Sequence, residues 1–285
     1  IVFSLSRGFC SVSMKDVQGK CIPKSRRGRL AGLATLAVSL LLLGGDDDPS
    51  RTFYIVLLLV GAGLWWLAAI LFRFVREYDG ETAGGANALW ETWQSLKLLR
   101  DDPPFRHFVI TRSLLLCSAL SAPFFVVLAQ RSSPDSRMLG AFLLASSLAS
   151  SLSAAFWGWM ADVSSRKVMI RGSGLAAIIC LAMGVVAYCF AGASVLIWII
   201  PVAYLVLSIA HAGVRIGRKT YLVDMAGGTK RTDYVAVSNT VIGVLLLVTG
   251  GVSALASLLS VEAVLILLGL MGAAGTFSAL RLEDV

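Results

Sequence analysis

The stretch "GWMADVSSRKVMIRG" (158–172) carries an Asp, two Arg and a Lys between two long apolar runs, "LGAFLLASSLASSLSAAF" before it and "LAAIICLAMGVVAYCFAG" after it. A soluble domain would place such a segment in a surface loop. The 285-residue chain around it is 57% hydrophobic and only 15% charged, with a mean hydropathy of +0.79. A globular chain carries about 25% charged residues. So little polar surface suits a chain solvated by lipid, and the sequence reads as an all-α polytopic membrane protein.

A membrane span needs roughly 20 mostly apolar residues. Eight stretches qualify: 29–45, 53–74, 108–129, 138–160, 168–190, 194–214, 236–256 and 261–280. Residues 1–9 begin with Ile in "IVFSL" and read as the tail of a further span, so the chain is expected to be an N-terminally truncated piece. Alternate loops hold 21 Lys and Arg against 3 in the others, with Arg112 left inside a span. By the positive-inside rule the basic loops and the C-terminus are cytoplasmic.

The net charge of +8 is spread over those short loops rather than over one basic face, which argues against a nucleic-acid partner. The five cysteines show neither zinc-site nor disulfide-framework spacing. No metal and no cofactor is assigned. A membrane-embedded enzyme would need convergent His, Asp, Glu or Cys within spans, and His107 and His211 stand apart.

In the long loop before residue 108, "NALWETWQSLKLLRDDPPF" puts Leu89, Trp93 and Leu96 on one helical face, with Trp90 alongside. Tryptophans and a basic end predict a helix lying on the cytoplasmic surface, stopped by Asp101-Asp102-Pro103-Pro104. The chain also repeats itself. Arg7, Asp16 and Gly19 recur with the same spacing as Arg215, Asp224 and Gly227, each set followed by basic residues and a small-residue-rich span on the same side of the membrane. Such a parallel duplication is how transporters with two six-span halves are built.

"GWMADVSSRK" resembles the cytoplasmic-loop motif of the major facilitator superfamily, G-x-x-x-D-(R/K)-x-G-(R/K)-(R/K). Gly158, Asp162, Arg166 and Lys167 match in spacing, while Val163 replaces a basic position and Ser165 a glycine. A decayed copy of this motif joins spans 8 and 9 in that family. The resemblance therefore implies that this chain holds about eight helices, spans 5–12 of 12. Residues 1–75 would close span 4 and supply spans 5 and 6. Residues 76–107 would be the cytoplasmic linker between halves, and 108–285 the C-terminal six-helix half. Spans 1–4 would be the missing partner of the same chain, and membrane lipid the surroundings. The implied location is a cell membrane, of the bacterial inner-membrane type.

The motif also has a local physical reading. Gly158 permits close helix approach. Asp162, at a span end, can accept from orphan N–H groups of a neighbouring helix and favour its dipole. The resemblance implies that this neighbour begins near Gly28–Leu30. Arg166 and Lys167 would pair with cytoplasmic acids, Asp224 among them, to form a conformational latch. The alternative is a plain positive-inside loop.

A substrate path is suggested by Tyr204, Ser208, His211 and Arg215, which share one helix face, and by Ser146, Ser150, Ser153 and Trp157 on the preceding serine-rich span. Thr111, Arg112, Ser118 and Ser121 add a third polar set, with Pro123 predicting a kink. Serines also serve close packing in membranes. Arg112 and His211 are functional candidates by default, with snorkelling the rival for Arg112. No Asp or Glu lies deep in any span, so proton coupling would fall to His211 or to the absent spans. The implied function is secondary active transport of a small solute, its identity open, by alternating access. A non-transporting scaffold or a lipid translocator of the same fold is the alternative.

Overall fold

A computed structural model of the chain describes residues 96–132, 153–226, 230–255 and 260–285, with isolated helical positions at 59, 63, 66, 70, 142 and 149. The span expected at 29–45, the Arg7/Asp16 copy of the repeat and most of the loop helix before residue 96 lie outside the described residues, as do Ser146 and Ser150.

Every regular element among the described residues is a helix. In chain order these are α1 (Leu98–Asp101), α2 (Pro103–Leu114), α3 (Cys117–Leu120), α4 (Ala122–Ser132), the helical stretch 153–163, α5 (Ser165–Cys189), α6 (Leu196–Met225), α7 (Lys230–Leu255) and α8 (Val261–Leu280). Five segments are long and apolar enough to cross a membrane: Pro103–Ser132, Ser165–Cys189, Leu196–Met225, Arg231–Val248 and Val261–Leu280.

The Asp-Asp-Pro-Pro stop is also a start. Asp102 Oδ1 accepts from the Phe105 N–H at 3.0 Å, and the two prolines occupy the first turn of α2, where a missing N–H costs nothing. The segment 103–132 is not one smooth helix. It breaks at Leu115–Leu116 and again at Ser121, two residues before Pro123. Proline cannot donate to the ladder and crowds the carbonyl four residues back, so the second break sits where the kink was expected. Ser118 Oγ, donating to the Leu115 carbonyl at 3.0 Å, satisfies backbone freed by the first break.

α6 runs to Met225, well past the expected end at residue 214. The charges of "RIGRKTYLVDM" do not stop it, because Ile216, Tyr221, Leu222 and Val223 are buried and prolong the apolar face. The basic loop expected over 215–235 is therefore mostly helix.

The chain threads up and down. Arg131, closing the first long segment, lies 3.7 Å from Glu262 at the start of α8. At the other end the Tyr234 hydroxyl donates to Asp102, the Ser164 hydroxyl to Asp284 at 3.3 Å, and the Tyr221 hydroxyl to the Glu283 carbonyl at 2.9 Å. Helix α5 is central to the packing and touches both α6 and α8. Gly172 makes the first contact possible: an added Cβ would stand 2.9 Å from the Val214 nitrogen and 3.0 Å from the Ala210 carbonyl. Backbones in lipid approach this closely only across small residues. The outward faces of α5 and α8 expose Ile178, Val185, Leu267, Leu270 and Phe277, a lipid-facing composition.

Candidate functional site

The break in the first long segment turns polar groups inward. Ser118, in the short helix α3, lies 3.1 Å from His211 Nδ1 on α6. Six residues earlier on the same segment, Arg112 donates through Nη1 to Ser238 Oγ and through Nη2 to Asn239 Oδ1, the latter at 3.0 Å. Arg112 is 9% exposed. A snorkelling arginine would carry its guanidinium out to the headgroups, whereas this one bonds across the bundle to α7. The broken segment thus meets α7 at Arg112 and α6 at Ser118.

On α6, Tyr204, Ser208, His211 and Arg215 are each half-buried, and Arg218 extends the same face by another turn. Tyr204 has aromatic neighbours on two sides. Its ring packs 4.5 Å from Phe142 and 6.2 Å from Phe125, inside an apolar cluster. On the neighbouring helix Trp157 is buried and donates its indole N–H to the Ile209 carbonyl at 2.9 Å, fixing that helix against α6.

The motif loop forms a second constellation at the end of the bundle that holds Asp102. Ser164 caps α5, its Oγ accepting from the Lys167 N–H at 3.3 Å. Gly158 is buried, Asp162 half-buried and Lys167 exposed. Arg166 reaches the C-terminal tail: Nη2 lies 2.9 Å from Asp284 Oδ2, and Nη1 donates to the Leu282 carbonyl at 2.6 Å. Arg166 thus pairs with Asp284, an acid that the motif does not single out. The tail turns back after α8, buries Leu282 and brings its acids beside the loop.

No family model matches the sequence, and no curated protein matches it. Among solved structures the chain is similar to the Escherichia coli fucose:proton symporter, with a TM-score of 0.61 at 14% identity, covering 97% of this chain and 74% of that one. The chain has the major facilitator fold. At that identity the likeness carries the fold and nothing of the substrate.

The described part of the site pairs Ser118 with His211 and Arg112 with Ser238 and Asn239, while in the motif loop Arg166 reaches the C-terminal tail. Sequence reasoning missed Arg218, Ser238, Asn239 and Asp284. Arg218 was discoverable, since it continues the spacing of His211 and Arg215. Ser238 and Asn239 sit in the expected span 236–256 with no periodic signal of their own. Asp284 follows the last helix, where no local pattern points to a partner in residue 166.

Proposed function

We propose that the chain moves a small solute across a membrane as a secondary transporter, by alternating access. The observation that supports this most directly is the buried polar cluster at the helix break, Arg112 and Ser118 facing His211, Ser238 and Asn239. Intramembrane ionisable groups are costly and mark solute or ion paths. Discontinuous helices are where transporters expose backbone and side-chain polarity to solute. The major facilitator fold supports the same reading. On this reading residues 1–75 belong to the N-terminal half, 76–107 to the linker and 108–285 to the C-terminal half, with the motif loop cytoplasmic. The loop with Gly158, Asp162, Arg166, Lys167 and Asp224 acts as a latch on conformation, and Arg112, Ser146, Ser150, Tyr204, Ser208 and His211 contribute to the cavity.

Uptake into proteoliposomes tests the reading. The purified chain is reconstituted and challenged with labelled sugars, carboxylates, phosphate esters and amino acids, in the presence and absence of a proton gradient. Saturable uptake of one solute, lost in His211→Ala, is expected. No uptake above protein-free vesicles for any solute contradicts the proposal.

A further inference from the structure

A groove of about 550 Å³ runs along the broken segment, between it and α7, with Met271 of α8 at its side. Ligand sites have volumes of about 300–1,000 Å³. Two sets of contacts shape the groove. Glycines seat α8 on the broken segment: an added Cβ at Gly275 would stand 2.9 Å from Leu115 Cδ2, and one at Gly272 3.0 Å from Cys117 Sγ. Polar contacts near its start hold α7 to the same segment, Tyr234 to Asp102, and Ser238 and Asn239 to Arg112. The next turns of α7 bring Val241 and Leu245 to the groove wall.

The groove is apolar along its length and basic at one end. Ser113 lines it, but its hydroxyl donates to the Val109 carbonyl at 2.8 Å and is satisfied within its own helix. Among the described residues that line it, Arg106 alone is charged. Arg106 and Leu120 mark its two ends along the segment, roughly 20 Å apart at the rise of a helix. One leaflet of a bilayer, headgroups included, has about that depth. Ile110 on the wall is half-exposed, and Leu247 and Leu270, close in sequence to Leu245 and Met271, are exposed. An apolar groove rimmed by exposed apolar side chains faces lipid rather than water.

Arg106 is exposed, and its Nη1 donates to the Arg100 carbonyl at 3.5 Å, which sets the guanidinium at the bundle end that carries the motif loop. Lys97 and Arg100, also exposed, add two cations there. Asp101 and Asp102 lie in the same stretch, and Asp102 is engaged by the Phe105 N–H and the Tyr234 hydroxyl. A guanidinium fork matches phosphate oxygens, and the neighbouring cations disfavour a headgroup that carries an ammonium of its own.

We infer that the groove is a binding site for an anionic phospholipid of the leaflet on the motif-loop side, with one acyl chain laid along Val109, Leu120, Val241, Leu245 and Met271 and the headgroup phosphate on Arg106. On the proposed orientation this is the cytoplasmic leaflet, whose anionic lipids basic residues attract. The inference rests on the fold and its membrane setting, and not on transport.

The probe is phosphatidylglycerol with a photoreactive diazirine in mid acyl chain, offered to the whole chain in nanodiscs. Crosslinks mapped by peptide mass spectrometry should fall on Val241, Leu245 and Met271. Unlabelled phosphatidylglycerol should compete at least about fivefold better than phosphatidylcholine, and Arg106→Gln should weaken labelling about fivefold, the worth of one basic residue at an anionic membrane surface. Arg106→Lys, which keeps the charge, should retain most of it. Arg131→Gln, an exposed cation at the other end of the same segment, should leave it unchanged. Leu245→Trp, which fills the groove, should abolish labelling at Met271. Size-exclusion profiles check that the variants fold, and the competition in the unaltered chain depends on no variant. Crosslinks that avoid the groove overturn the site, as they would if another part of the chain covered it. Equal competition by phosphatidylcholine, or labelling that survives Arg106→Gln in full, overturns the headgroup assignment. Each of these outcomes leaves the transport reading to the uptake assay.

Discussion

Replacing Gly172 by Ala should destabilise the bundle, while the same change two residues on at Gly174 should not. At Gly172 the new methyl would meet the Val214 nitrogen at 2.9 Å, the Ala210 carbonyl at 3.0 Å and Val214 Cγ2 at 3.2 Å. Two of these neighbours are backbone atoms inside a long helix, and they cannot move unless α5 and α6 separate. At Gly174 the nearest atom is Thr276 Cγ2 at 3.7 Å, ordinary van der Waals contact. Both substitutions gain about 0.8–1 kcal/mol of helix propensity. Only Gly172→Ala pays for overpacking, about 1–3 kcal/mol. The two variants should therefore differ by about 1–3 kcal/mol. For a chain of this size that corresponds to roughly 2–4 °C in melting temperature per kcal/mol. Cys117 and Cys180 are buried and reduced, so a thiol-reactive dye reports unfolding in detergent. Gly172→Ala melting at or above Gly174→Ala would refute the close approach of α5 and α6.

Other outcomes follow from the same geometry. In a background without the five native cysteines, Lys167→Cys and Glu283→Cys should label from one side of the membrane and Ser194→Cys from the other; labelling of Lys167→Cys and Ser194→Cys from the same side breaks the threading. A double-mutant cycle on Arg166→Ala and Asp284→Ala should give a coupling of about 0.2–1 kcal/mol, because the pair is partly exposed, and a value indistinguishable from zero would remove the ion pair. Asp162→Asn should alter the balance of conformations and slow turnover without changing affinity in a trapped form. Loss of binding in the trapped form would place Asp162 in the solute site instead.

The membrane spans were legible because hydropathy and the alternation of basic loops act along the chain itself. The long segments beginning near 108, 168, 194, 236 and 261 all appear as helices. The extension of α6 was hidden by Arg215, Arg218 and Lys219, which read as loop when counted as charge. Ile216, Leu222 and Val223 carried the helical period beneath them. Pro123 announced the kink, but the break at Leu115–Leu116 has no proline and follows from the surroundings of the segment. Arg112 was visible as an arginine within a span, yet its direction was not. Whether such a side chain snorkels or turns inward depends on Ser238 and Asn239, far away in the sequence. Arg166 was legible as a member of the loop motif, and its partner Asp284 was not, because the fold of the tail brings them together.

Alternating access makes a sharper demand than uptake alone: one position in the interior site must open to each side in turn. A single cysteine at Ser208, on the half-buried face of α6 beside His211, tests this with an impermeant thiol reagent applied from either face of oriented vesicles. The account predicts modification from both faces, with solute or a conformational trap suppressing one while enhancing the other. Modification from one face only, unchanged by any trap, would contradict it.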